Sequence, residues 1–223
     1  MESRITPEIE KTYEQLLWVL RRRFRVVESV QAHFGKPLVD RVLAPLSPPP
    51  IQLEREPDFL ELIDERDPHD FLGALAHEIV KNEAETVGRL RTHVSVYRDH
   101  VDEQILFGAR TAGQEAGRAF LESQAAVGRP RLATLSVPES VQAVFELSYS
   151  GLPGERNHFL VLRPRGGSSV HFVRSPQLEA WTAAGGDSRF LYELRCEWVR
   201  GILDIISPRV DFHPASEIGR AHV

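Results

Sequence analysis

From Phe71 to about Val127 the chain contains no proline, and through that stretch Ala76, Val80, Glu83, Val87, Leu90, Val94, Tyr97 and Val101 recur at alternating steps of four and three. This is the a/d seam of a heptad repeat, and it places all eight side chains on one face of an α-helix. The expectation is one very long helix, or two that are nearly continuous. An apolar seam must be covered, either by another helix of the same chain or by a second copy. Val80, Glu83, Val87, Leu90, Val94, Tyr97 and Val101 are therefore candidate interface residues, and a homodimer or a protein partner is expected through the 71–127 helix. Glu83 is the odd member. A carboxylate on such a seam has to be paired, protonated or ligating, unless the seam is locally open there.

On the N-terminal side, Pro7 followed by Glu8–Val30 reads as a helix. Thr6 stands where a cap is needed, proline where it is tolerated, and Glu8 and Glu10 at the positive helix end. Ile9, Tyr13, Leu16, Leu17, Leu20, Phe24 and Val27 form its expected apolar face. A short helix is expected over Lys36–Leu43. Pro45-Leu46-Ser47-Pro48-Pro49-Pro50 then favours a stiff extended segment. Glu54 to Asp70, which follows, holds eight acids and two arginines, a local charge of −6.

After Arg129-Pro130 the apolar period changes from helical to strand-like. Val141–Tyr149 alternates, His158–Arg163 and Ser169–Arg174 read as further strands around the Arg165-Gly166-Gly167-Ser168 hairpin loop, and Arg209–His213 as a last one. Asp187 is positioned to cap a helix over about Ser188–Ile206, which Pro208 ends. The fold class expected is α+β: a helical N-terminal part with one long helix, then an antiparallel three- to four-stranded sheet packed against a helix. The corresponding division is residues 1–44 for the N-terminal helices, 45–58 for a proline-rich and acidic linker, 59–127 for the long helical region and 131–223 for the α+β part.

With 27 Lys+Arg against 32 Asp+Glu in 223 residues, the formal charge of −5 argues against a general nucleic-acid binder. No apolar run reaches the roughly 18 residues that span a bilayer, and the acidic opening Met1–Glu10 does not read as a signal peptide. The expected location is cytoplasmic. Cys196 is the only cysteine, so an internal disulfide and a Cys-rich zinc site are both excluded.

Two segments carry a family resemblance. Leu106-Phe107-Gly108-Ala109-Arg110-Thr111-Ala112-Gly113-Gln114-Glu115-Ala116-Gly117-Arg118 resembles the glycine-spaced helix that opens the 4-vinyl-reductase-type domain, whose fold is similar to that of TRAPP trafficking subunits. Tyr192-Glu193-Leu194-Arg195-Cys196-Glu197-Trp198-Val199-Arg200-Gly201-Ile202-Leu203 resembles its later helix. The resemblance covers about residues 100–220 and implies an α+β ligand-binding or sensory domain that often dimerises through its helices. Members commonly carry several cysteines near the C-terminus, so with Cys196 alone the resemblance implies no metal or redox role.

Several residues are candidates for chemistry. His77-Glu78 looks like a phosphoacceptor box, yet no glycine-rich ATP-binding region follows it, and Lys81 stands where a zincin helix needs its second histidine. His93, His100 and Glu103 share a helical stripe with Tyr97 and are candidate metal ligands, although two turns, roughly 10 Å, separate the histidines. Arg163, Arg165 and Arg174 flank the Gly166-Gly167 turn and are candidates for holding an anion or other small ligand. His158 and His171, on neighbouring expected strands, are placed to face one another. Trp181, Cys196 and Trp198 are candidate ligand-binding residues between the last helix and the sheet, and Cys196 reads equally as a small core residue. No cofactor is assigned by the sequence.

The function expected is that of a small-molecule-binding sensory or adaptor protein acting as a homodimer. One alternative is a small metal-dependent or hydrolytic enzyme using the His93/His100/Glu103 stripe. Another is a non-catalytic partner subunit of a larger complex.

Overall fold

The computed structural model describes residues 6–49, 51, 67–94, 96, 98–126, 144, 147, 158–162, 168–172, 176–208, 210 and 212. Six helices lie among them: α1 (Pro7–Phe34), α2 (Lys36–Leu43), α3 (Pro68–His93), α4 (Arg98–Ala126), α5 (Pro176–Ala183) and α6 (Ser188–Ile206). Local chemistry sets many of the ends. Thr6 caps α1 by accepting from the Ile9 amide at 3.4 Å. Asp67 caps α3 through the His69 and Asp70 amides, and Asp187 caps α6 through those of Arg189 and Phe190. Between α1 and α2 the chain turns at Gly35, whose φ of +91° is one that a side chain would strain.

The proline-free stretch is two helices rather than one. They are broken around Val94, and α4 folds back beside α3, so Arg91 on α3 donates to both carboxylate oxygens of Asp102 on α4, at 2.8 and 3.1 Å. α1 lies against both. Arg22 and Arg23 meet Glu83 and Thr86 on α3 in the same chain direction, whereas Arg25 and Ser29 meet Glu115 and Gln104 on α4 in the opposite one. α6 runs parallel to α4 at very close range. A Cβ added at Gly113 would overlap the Trp198 carbonyl oxygen, and one added at Gly201 would overlap that of Arg110.

Burial follows this arrangement in three clusters. The first joins Ile9–Leu20 of α1 to Leu72–Val80 of α3. The second draws on α1, α2, α3, α4, α5 and α6 around Val26, Val87, Leu90, Val101, Trp181 and Leu194, and so spans both sides of the Pro45–Pro50 segment. In the third, Ala112 and Ala116 of α4 meet Trp198, Ile202 and Ile206 of α6. Phe24, expected on the apolar face of α1, is 40% exposed, while Val26 and Val30 are fully buried.

The α+β expectation is overturned, because the described chain is overwhelmingly helical. The strands it contains, β1 (His158–Leu162) and β2 (Ser168–Phe172), make one antiparallel hairpin and not a sheet of three or four strands. Val144 and Leu147, the described residues of the expected strand 141–149, are helical and both reach the third cluster. Residues three apart share a helix face but lie on opposite faces of a strand, and this is where alternation misleads. Nor do the described positions of Arg209–His213 form a strand; the Val210 amide bonds back to Ser207 in a turn. α5 was not expected at all. Finally, no described helix is long and apolar enough to cross a membrane.

Candidate functional site

The seam of α3 is interrupted by a polar station inside the protein. Glu83 is wholly buried, and Arg22 of α1 donates to it twice, Nε to Oε1 and Nη2 to Oε2, each at 2.7 Å. This is the bidentate fork that guanidinium and carboxylate favour. Of the three states open to a carboxylate on an apolar seam, the pair is the one realised. Arg22 was missed by sequence reasoning, although Val19, Arg22, Val26 and Val30 sit three and four apart, which puts an arginine on the buried stripe of α1. An arginine and a glutamate each intruding on an apolar stripe are the signal that could have joined them.

More groups surround the pair. The Arg22 guanidinium carbon lies 5.4 Å from the ring centre of Trp198 on α6, and Trp18 tilts against the same indole at 6.3 Å. Arg23 Nε donates to the Thr86 hydroxyl at 2.9 Å, and that hydroxyl donates to the Asn82 carbonyl at 2.7 Å. Burial lowers the Arg23 guanidinium from its ordinary value, against the opposing pull of Glu83. Asn82 Nδ2 holds the Ser47 carbonyl at 3.0 Å, which fastens the start of the proline-rich segment to α3. Asn82 Oδ1, Trp198 Nε1 and both amide atoms of Gln177 are buried without a hydrogen-bond partner. Chemically the station is closed: a carboxylate gripped by two guanidinium hydrogens inside the core is no available base.

The seam is covered within the single chain. Ala76, Val80, Glu83, Val87, Leu90, Val94 and Val101 are all buried there, and Tyr97 lies outside the described residues. Trp181 and Trp198 are both buried and belong to different clusters. The Trp181 indole donates to the Asp187 carbonyl at 3.1 Å. Burial pushes the Cys196 thiol up from its ordinary value, away from the thiolate a nucleophile needs. Arg163, Arg165, Arg174 and most of the acidic stretch lie outside the described residues. In the hairpin, His158 pairs with Phe172 and His171 with Phe159, so the two histidines are not ladder partners.

His77 and His93 are exposed on α3. Of the expected metal stripe, the structure brings together His100 and Glu103, 3.6 Å apart, and adds His33 from the end of α1, its ring centre 6.3 Å from that of His100. Among the described residues no group of three or more His, Cys, Asp or Glu is placed to hold a metal ion.

The outer face of α4 carries Asp99, His100, Glu103, Phe107, Arg110 and Arg118, all exposed. Phe107 is 63% exposed, a large apolar ring on a helix whose opposite face is buried. Beside it, a groove of about 200 Å³ lies among Arg110, Arg200, Asp204, Ser207 and Phe212. Arg110 donates to both oxygens of Asp204, which holds that carboxyl below its ordinary value, and Arg200 pairs with Glu197.

No family model, no curated protein and no solved structure matches this chain.

Proposed function

We propose that the chain is an adaptor that works as a homodimer, and that the outer face of α4 is where two copies meet. The observation carrying this is Phe107, 63% exposed between acidic and basic residues of one helix. Glu103 lies about one turn before it and Arg110 about one turn after. In an isologous pairing the same patch meets itself in antiparallel sense. With the two-fold axis at Phe107, Glu103 comes within a residue of Arg110 of the partner subunit, and the two phenyl rings cover one another. The heptad seam has no part in this contact, being filled inside the chain.

Light scattering on the full chain, with its concentration varied, tests the reading. The expected result is a dimer that becomes a monomer in Phe107→Glu with its helical content unchanged. A wild-type chain that stays monomeric at high concentration, or a Phe107→Glu variant that stays dimeric, overturns it.

A small-molecule role has one observation behind it, the groove beside α6. Its arginines are already matched by Asp204 and Glu197, and it is below the roughly 300 Å³ where drug-sized pockets begin. Its ligand would be small and largely uncharged. Calorimetric screening of small neutral solutes, repeated with Phe212→Ala, checks that role; uptake that is indifferent to Phe212 overturns it.

A further inference from the structure

We propose that His33 and His100 form a two-histidine site for a transition-metal ion, bridging the end of α1 and the start of α4, with Glu103 as its positioning residue. This proposal does not depend on the dimer reading, although His100 and Glu103 lie on the α4 face that the dimer reading uses. The imidazoles come from positions 67 apart (100 − 33), brought together because α1 and α4 run in opposite directions. Their ring centres are 6.3 Å apart and their planes 33° apart.

Chemistry sets what that spacing allows. A metal–nitrogen bond of about 2.1 Å puts each ring centre roughly 3.2 Å from the ion, so two imidazoles sharing one ion have centres about 5 to 6.4 Å apart, from tetrahedral to linear. The observed separation is at the upper end of this range, and both side chains are exposed and free to close it. Glu103 Oε2 faces His100 Nδ1 at 3.6 Å. That distance is just beyond a hydrogen bond; closed by a few tenths of an ångström, the carboxylate would hold the proton on Nδ1 and leave the Nε2 lone pair for the metal, the usual carboxylate–histidine–metal relation. Phe34 packs edge-on to His33 at 4.6 Å and backs that ring from one side.

Two neutral imidazoles select zinc, nickel or copper over calcium or magnesium, which prefer oxygen ligands. With two protein ligands the remaining positions go to solvent, so the ion exchanges readily. Its effect is mechanical: it fastens the far end of α1 to α4 and favours the folded chain over the unfolded one.

The test is calorimetric titration of zinc chloride into the full chain, free of any histidine tag. One ion per chain is expected, together with a rise in melting temperature. His33→Ala and His100→Ala should each weaken binding at least tenfold, and Glu103→Gln by about tenfold. In all three the metal-free melting temperature should stay at the wild-type value, which separates a ligand role from a structural one. His93→Ala should bind like wild type. Should either histidine variant lose helicity, the glutamine replacements His33→Gln and His100→Gln take its place. No zinc uptake by the wild-type chain, or uptake undiminished in both histidine variants, overturns the proposal.

Discussion

Two helix contacts in this protein achieve close packing by opposite means. Where α1 meets α3, long side chains fill the space, with a buried Arg22–Glu83 pair beside the Trp198 ring. Where α4 meets α6, side chains are missing, and Gly113 and Gly201 let each backbone rest on the other. The first contact depends on two charges being present together. The second depends on two Cβ atoms being absent. Mutations should therefore act on them in opposite senses, truncation harming the first and addition harming the second.

The largest effect is expected from Glu83→Ala. It leaves the Arg22 guanidinium buried without its carboxylate, at a cost of about 3–5 kcal/mol in chemical denaturation. The double replacement Arg22→Met with Glu83→Leu sharpens the point. It removes both charges and should recover most of that loss, since well-packed apolar residues often match a buried pair. A double variant no more stable than Glu83→Ala would show that the pair does more than offset its own burial.

At the other contact, Gly113→Ala and Gly201→Ala should each cost roughly 1–3 kcal/mol by overpacking, although alanine is the better helix former by nearly 1 kcal/mol. A gain in melting temperature in either variant would contradict the backbone contact. Gly88→Ala is the control, because nothing lies near its would-be Cβ, and it should stabilise the chain slightly.

Smaller again is the pH response of the surface pairs. Hydrogen bonds from Arg110 and Arg91 hold the Asp204 and Asp187 carboxyls below their ordinary values. A depressed carboxyl contributes above its unfolded value, near pH 3.9, and that contribution is lost as pH falls through the lower folded value. Asp204→Asn should thus be less stable than wild type at pH 6, by about 1 kcal/mol or less given the exposure of the pair. In urea melts across pH the difference should begin to shrink below about pH 4 and go on shrinking toward the lower folded value, and one that does not change with pH would point to packing instead of charge. Phe107→Glu should have the smallest effect on stability, within about 0.5 kcal/mol for a surface position, while still changing the oligomeric state.

What could be read in the sequence was what neighbouring residues decide. Lys36–Leu43 and Ser188–Ile206 match the observed α2 and α6, and the caps at Thr6 and Asp187 lie where a side-chain oxygen three residues before an amide predicts them. The seam of α3 was also legible, because heptad spacing depends on local geometry alone. Its covering was not. Arg22 and Glu83 are 61 positions apart, and no spacing rule connects them. The helical conformation of Val144 and Leu147 was lost to an accidental alternation of apolar residues. α5 was overlooked although Pro176 stands at its start, a position proline favours. Of the candidate sites, the stripe on α4 gave His100 and Glu103, but their neighbour His33 came from another helix.

The backbone contact between α4 and α6 has a consequence for movement. Helices separated by a layer of side chains can slide a little as rotamers change, the basis of shear motion. Helices whose peptide groups touch at Gly113 and Gly201 have no such lubricating layer. α4 and α6 should accordingly travel as one piece. Native-state hydrogen exchange would register this as α4 and α6 amides opening together, in a step distinct from that of α2.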